Sequence, residues 1–140
     1  MSSQTILQPA VALMVLNILV FYWMYATRLP AIAKLGLEMD ENVPPADLMN
    51  KLPANVRWKA DNYNHLLEQP TLFYAVVIVL ALLGAGTGFN TTLAWAYVGL
   101  RLVHTLVQTL WNKIMIRFVV FLTSTVVLTV LVVRAAMLAF

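Results

Sequence analysis

Residues 6–27, ILQPAVALMVLNILVFYWMYAT, form an apolar segment whose only strongly polar interior residue is Asn17. A helix rises about 1.5 Å per residue, so a segment of this length crosses a hydrocarbon core of about 30 Å. Residues 1–5 contain no Lys or Arg, and the apolar run is longer than the core of a signal peptide. We therefore predict a retained transmembrane helix.

The composition extends this prediction to the whole chain. Of its 140 residues, 61% are hydrophobic and 11% are charged, and the mean hydropathy is +0.81. These values indicate an integral membrane protein in contact with membrane lipids. The net charge of +3 is not gathered into a basic run, which argues against a nucleic-acid partner. The absence of cysteine excludes disulfides, thiolate metal ligands and a thiol nucleophile from the protein itself.

Three further apolar segments follow the first. Pro53 suits the first turn of a helix, and Pro70 should kink that helix or loosen it locally. A glycine-rich turn and the pair Asn112-Lys113 supply short links. We predict an all-α fold, a single four-helix membrane domain over residues 1–140. Its predicted spans are residues 6–27, 54–84, 91–111 and 114–139, with one cytoplasmic loop at about 28–53.

The basic residues predict the orientation, because short loops rich in Lys and Arg stay on the cytoplasmic side. They lie mainly between the first two spans and at the link between the last two: Arg28, Lys34, Lys51, Arg57, Lys59, Lys113 and Arg117. We therefore expect the first and third loops to be cytoplasmic and both termini to lie on the opposite side.

Two of the predicted helices carry polar faces at three- and four-residue steps. On the second helix the face consists of Arg57, Asp61, Asn64 or His65, and Glu68. On the third helix it consists of Tyr97, Arg101, His104, Gln108 and Asn112. Ionisable groups are costly in hydrocarbon, so these faces should turn inward and meet. Arg101 lies about 15 Å along its helix from the cytoplasmic end, and we expect it to pair with Glu68.

Each of these residues has a structural interpretation as well as a functional one. Glu68 and Arg101 could form an ion pair that only fixes the helix register, and His104 could make an interhelical hydrogen bond. Arg117 could be an interfacial anchor or could meet an anionic group entering from the cytoplasm. His65 and His104 have no third ligand at a recognised spacing, so we predict no metal site.

The segments Arg57–Tyr74 (RWKADNYNHLLEQPTLFY) and Arg101–Arg117 (RLVHTLVQTLWNKIMIR) resemble a known family. It is the MAPEG family, the membrane-associated proteins in eicosanoid and glutathione metabolism, and the likeness is to its bacterial type. The first segment is similar to the family's second-helix signature of a basic residue, Asn, Glu and Pro. The second segment is similar to the prostaglandin-synthase branch, with His three residues after Arg and a further Arg sixteen residues after the first.

This resemblance implies a homotrimer of four-helix protomers that holds glutathione, as thiol co-substrate, between neighbouring protomers. It implies that Arg117 is catalytic, because a guanidinium beside a thiol lowers the pKa of that thiol. It implies that Arg28, with Arg57 or Lys59, meets the glutathione carboxylates and that Asn64 and Glu68 help to seat the ligand. The remaining residues of the implied glutathione site are Arg101, His104 and Gln108.

The chain departs from the family pattern in two places. Asn64 and Glu68 are four residues apart, where three is usual, and Gln108 stands where the synthases commonly have a tyrosine. The leading interpretation is a membrane-bound, glutathione-dependent transferase or peroxidase that acts on lipophilic electrophiles. The alternative is a noncatalytic member of the fold that serves as a membrane scaffold, accessory subunit or lipid-binding protein. A small transporter or channel is a weaker interpretation.

Overall fold

The computed structural model describes residues 4–36 and 42–140, and it is helical throughout its ordered elements. The helices are α1 (Leu7–Leu35), α2 (Pro45–Met49), α3 (Ala54–Glu68), α4 (Pro70–Leu82), α5 (Phe89–Leu110) and α6 (Ile114–Ala139). Helix α1 continues beyond residue 27, where the first span was predicted to end. Gly36, whose φ is +61°, caps its C-terminus. Part of the predicted first loop, residues 37–41, lies outside the described residues.

The second predicted span consists of α3 and α4. Proline has no backbone N–H, so Pro70 cannot donate the helical bond to the carbonyl of Leu66, and the two helices meet at Gln69. Gln69 keeps helical backbone angles, φ −65° and ψ −39°, so Ala54–Leu82 forms one continuous helical segment. Pro70 therefore removes one backbone hydrogen bond locally and does not end the helical segment.

Three segments of the described chain are long and apolar enough to cross a membrane: Leu7–Leu35, Ala54–Leu82 and Ile114–Ala139. These segments define an integral membrane protein. The 22-residue helix α5 has the length but carries the polar face described above, which lowers its hydropathy. A fourth membrane span along α5 therefore stays a prediction.

Helix α5 packs against α1, α3 and α6 and turns its polar face toward them. Its buried side chains include Tyr97, whose ring stacks on Phe73 of α4 at a centroid distance of 4.5 Å. Tyr97 also donates a hydrogen bond to Gln69 Oε1 at 3.2 Å, and Gln69 Nε2 donates to Thr125 Oγ1 of α6 at 2.8 Å. This chain of contacts joins α4, α5 and α6 beside the Pro70 junction.

A hydrogen-bonded clasp ties the start of α1 to the glycine turn between α4 and α5. The carbonyl of Gly86 accepts bonds from Ile6 N at 2.9 Å, Thr5 Oγ1 at 3.3 Å and Thr91 Oγ1 at 3.1 Å. The Gly86 N–H in turn donates to Gln4 Oε1 at 3.1 Å. Gly86 thus holds together one end of the bundle.

We expect Gly86→Ala to destabilise the protein by about 1–3 kcal/mol, the usual range for overpacking a filled site. A Cβ at this position would collide with Gln4 Oε1, would lie 2.8 Å from Ile6 Cγ2, and would lie 3.3 Å from the Cα of Ala81. Thermal unfolding in detergent measures the effect. Gly99→Ala is the matched control, because a Cβ there meets nothing within 4 Å. Equal melting temperatures for the two variants would contradict the prediction.

Candidate functional site

Two cavities lie at the end of the bundle where α3 begins, α5 ends and α6 begins. Cavity I has a volume of about 360 Å³ and is lined by Asp61, His65, Glu68, His104, Gln108, Ile114, Arg117, Phe118 and Phe121. Cavity II has a volume of about 280 Å³ and is lined by Arg28, Pro45, Ala46, Met49, Asn50, Arg57, Ala60, Asp61 and Asn64. Asp61 belongs to the wall of both cavities, so the two spaces are neighbours.

The helical repeat explains which side chains reach cavity I. Asp61, His65 and Glu68 follow each other by four and three residues on α3, and His104 and Gln108 are one turn apart on α5. The wall from α6 carries Arg117 among apolar and aromatic side chains. One side of the cavity is therefore polar, and the other side is largely apolar.

Arg117 is held by the link between α5 and α6. Its Nη1 donates a hydrogen bond of 2.6 Å to Oδ1 of Asn112, and Asn112 has a positive φ of 52°. Asn tolerates this left-handed conformation better than most residues, which permits the tight turn that the sequence predicted. Asn112 thus sets the direction of the guanidinium, a role that its sequence position alone did not show.

Two imidazole rings meet on the polar side of cavity I. The centroids of His65 and His104 are 4.9 Å apart, and the ring of Phe121 lies 5.1 Å from that of His65. The Nδ1 atom of His65 lies 3.8 Å from Oε2 of Glu68. The side chain of Glu68 is 73% exposed, whereas that of His65 is 25% exposed. His65 is therefore the inner member of this pair.

The predicted pairing of Glu68 with Arg101 is wrong. Glu68 turns toward the open side of cavity I and pairs with His65, whereas Arg101 is fully buried at 0% exposure. None of the three guanidinium nitrogens of Arg101 has a hydrogen-bond partner among the described residues. Sequence spacing placed both residues on inward faces, but it did not determine which direction each side chain takes from its helix.

Other buried polar atoms accompany Arg101 on the inward faces of α3 and α5. Those with no hydrogen-bond partner among the described residues include both amide atoms of Asn62, Nδ1 of His104, Oγ1 of Thr105 and Oε1 of Gln108. The predicted residues His104 and Gln108 thus line cavity I while they keep free hydrogen-bonding atoms. The interior of this end of the bundle is polar.

Cavity II brings two arginines together from different helices. Arg28 of α1 and Arg57 of α3 both line it, and Nε of each is buried without a hydrogen-bond partner in the described part of the chain. Arg28 also lies over the ring of Tyr25 at 5.8 Å. The short helix α2 contributes three lining residues. This arrangement suits a carboxylate or another planar anion.

The predicted binding residues therefore divide into three groups. Glu68, His104 and Gln108 line cavity I with Arg117, and Arg28, Arg57 and Asn64 line cavity II. Arg101 and Lys59 line neither of them. The ammonium of Lys59 donates to the carbonyl of Asn55, one turn earlier on α3, at 3.1 Å, and it lies 5.0 Å from the centre of the Trp23 ring on α1.

Sequence reasoning left several side chains of these walls out of the predicted binding set, among them Asp61, His65 and Phe121. Asp61 and His65 were on the predicted polar face of the second helix, so their three- and four-residue spacing was the available signal. Phe121 lies within a mainly apolar helix and carried no signal. Among the described residues, no group of three His, Asp or Glu side chains is placed to hold a metal ion.

Comparison with known proteins identifies the class. The chain matches the model of the MAPEG family over residues 6–137 and therefore belongs to the MAPEG family. No curated protein shows a significant match to the chain, and no solved structure does either. The resemblance inferred from the two polar segments is confirmed, and it places this integral membrane protein in a family associated with glutathione and eicosanoid metabolism.

We expect Arg101→Met to leave the stability of the ligand-free protein within about 1 kcal/mol of the original or to raise it, because a buried charge without a partner opposes folding. Thermal unfolding in detergent checks this. Lys59→Met serves as the comparison and should lower stability, since it removes a hydrogen bond and a cation–π contact. A loss of several kcal/mol in Arg101→Met would show that the guanidinium has an anionic partner in the folded protein.

Proposed function

We propose that this protein is a membrane-bound, glutathione-dependent transferase or peroxidase that acts on lipophilic electrophiles. The observation that carries the proposal is the Arg117 guanidinium, held by Asn112 on the wall of a cavity that is polar on one side and apolar on the other. Family membership supports a role connected with glutathione. The proposal assigns the catalytic function to Arg117.

The proposed chemistry at Arg117 is stabilisation of a thiolate. Arginine keeps its charge at any physiological pH, so it favours the ionised form of a thiol placed beside it. The thiolate is the nucleophilic form of sulfur, and the protein has no cysteine of its own to supply one. Glutathione would bring the sulfur into cavity I as co-substrate.

Cavity II is the proposed site of the glutathione carboxylates. Glutathione carries two carboxylates, and Arg28 and Arg57 offer two guanidinium groups whose fork geometry matches them. Asn64 lines the same space. In this proposal the peptide backbone of glutathione runs past Asp61, the residue that lines both cavities. Its sulfur would then lie in cavity I near Glu68.

The apolar wall of cavity I is the proposed entry for the second substrate. Ile114, Phe118 and Phe121 come from α6, one of the helices that is apolar enough to span the membrane. A lipophilic electrophile concentrates in the bilayer and could approach the thiolate along this helix. This geometry explains why a polar co-substrate and an apolar substrate would share one site.

We further propose the assembly and orientation that the family implies. The protein would form a homotrimer of four-helix protomers, in which a neighbouring protomer completes the glutathione site. The two cavities lie at the end of the bundle that carries Arg28, Arg57 and Lys113, and this end would face the cytoplasm, where glutathione is available. Both termini would lie on the opposite side.

The first test is an ultraviolet difference spectrum of the detergent-solubilised protein titrated with glutathione. We expect thiolate absorption that saturates in the original protein and disappears in Arg117→Ala. Lys113→Ala is the charge-matched control: Lys113 is a nearby cation that stacks on Trp111 and lines neither cavity. Full thiolate absorption and conjugating activity in a correctly assembled Arg117→Ala protein would refute the role of Arg117.

The second test concerns cavity II. Arg28→Ala and Arg57→Ala should each weaken glutathione binding by about 10- to 100-fold, the equivalent of one charged hydrogen-bond interaction. At saturating glutathione the thiolate absorption should return to its original height, because Arg117 is intact. Equilibrium titration measures both quantities. Unchanged affinity in both variants would mean that the carboxylates bind elsewhere.

Gln108 favours one alternative function. It lines cavity I where synthases of the family commonly have an ionisable tyrosine, and its amide cannot transfer a proton. A noncatalytic scaffold, accessory subunit or lipid-binding protein would need no such group. An intact oligomer that shows no saturable glutathione binding would support this alternative over the transferase.

A further inference from the structure

His65 is the side chain of cavity I best placed to exchange a proton with a ligand. It lies on the wall between Asp61 and Glu68 of α3 and contacts the rings of His104 and Phe121. Its side chain is 25% exposed, whereas His104, which also lines cavity I, is only 3% exposed, so His65 is the more open of the two imidazoles. Imidazole has an ordinary pKa of about 6.5, close to neutral pH, which suits an acid–base group.

Glu68 gives the two nitrogens of His65 different surroundings. Nδ1 faces the Glu68 carboxylate at 3.8 Å, which favours the tautomer with its proton on Nδ1. Nε2 then carries the lone pair and is the atom that can accept a proton. This relation between a carboxylate and an imidazole orients the ring and supports a positive charge on it.

Charged and titratable groups face His65 from three helices. They are Asp61 and Glu68 of α3, Arg101 and His104 of α5, and Arg117 of α6. An imidazolium beside two guanidinium groups needs negative charge close to it. Glu68 supplies one such charge, and a thiolate formed in cavity I would supply a second.

We propose that His65 accepts the proton of the bound thiol and later returns it to the product, with Glu68 as the positioning residue. This inference rests on the proposed glutathione-dependent function. In the first step the S–H bond breaks and an N–H bond forms at Nε2, while Arg117 stabilises the sulfur anion. The thiolate then adds to the β-carbon of an α,β-unsaturated carbonyl compound, and the resulting enolate takes the proton back from Nε2.

Proton counting tests this directly. With glutathione and a pH-indicator dye in weakly buffered detergent, the original protein should release clearly less than one proton per thiolate, because His65 retains the proton. In His65→Gln the proton acceptor is absent, while Arg117 still stabilises the thiolate. Each thiolate that forms in this variant should therefore be accompanied by the release of about one proton. One proton released per thiolate by the original protein would overturn the proposal. No thiolate at all would instead refute the proposed function.

Two further variants identify the acceptor even if His65→Gln fails to assemble. Asp61→Asn removes the neighbouring carboxylate and should keep the proton count below one. A count that rises to one in Asp61→Asn would identify Asp61 as the acceptor and overturn the proposal. Glu68→Gln should raise the count toward one and shift the pH profile of kcat. An effect of Glu68→Gln on the KM for glutathione alone would show that Glu68 only seats the ligand, which would contradict its positioning role.

Turnover supplies an independent measure. General acid–base groups contribute about 10²- to 10⁴-fold to rate, so His65→Gln should lower kcat with an α,β-unsaturated ketone by at least about 10²-fold. Its KM for glutathione should change little, because the carboxylates are bound in cavity II. Lys113→Ala is the control for detergent and assembly effects. An unchanged kcat in assembled His65→Gln would refute the acid–base role.

Discussion

The burial of a permanently charged guanidinium inside an apolar bundle is the constraint on which the rest of the structure depends. Arg101 cannot lose its proton under physiological conditions, and hydrocarbon solvates a charge poorly. The helix that carries it must therefore be enclosed, and α5 is indeed packed against α1, α3 and α6. Tyr97, His104 and Gln108 lie on the same enclosed face. The inward direction of this face of α5 follows from the cost of exposing it to lipid.

The same enclosure creates the candidate site. Where α3 and α5 bring their polar faces together beside α6, the long polar side chains do not fill the space as apolar side chains would, and cavity I remains there. Cavity II adjoins it at Asp61 and lies between α1, α2 and α3. Pro70 ends the polar part of the second span, and the residues after it are almost wholly apolar. The bundle is thus divided along its length. One end holds polar groups and cavities, and the other is closed by the clasp at Gly86.

Particular residues show how far sequence patterns reach. The three- and four-residue spacing placed His104, Gln108 and Glu68 on inward faces, and all three line cavity I. The same spacing placed Arg101 opposite Glu68, yet the two side chains leave their helices in different directions. Lys59 illustrates the limit again: it was predicted to bind the ligand, but its ammonium lies over the ring of Trp23 instead. Periodicity specifies the face of a helix, but neighbouring helices determine the rotamer of a long side chain.

The sequence by itself determined that this is a helical membrane protein, because a long apolar run has few alternatives in water or lipid. It also determined the family, through two polar segments whose residues recur at helical spacing. Only the tertiary structure decided that six of the eight predicted binding residues divide between two adjoining cavities, that Asn112 holds Arg117, and that Glu68 lies beside His65. The cavity walls join helices far apart in the chain, and the two shorter-range contacts depend on side-chain directions that local spacing does not contain.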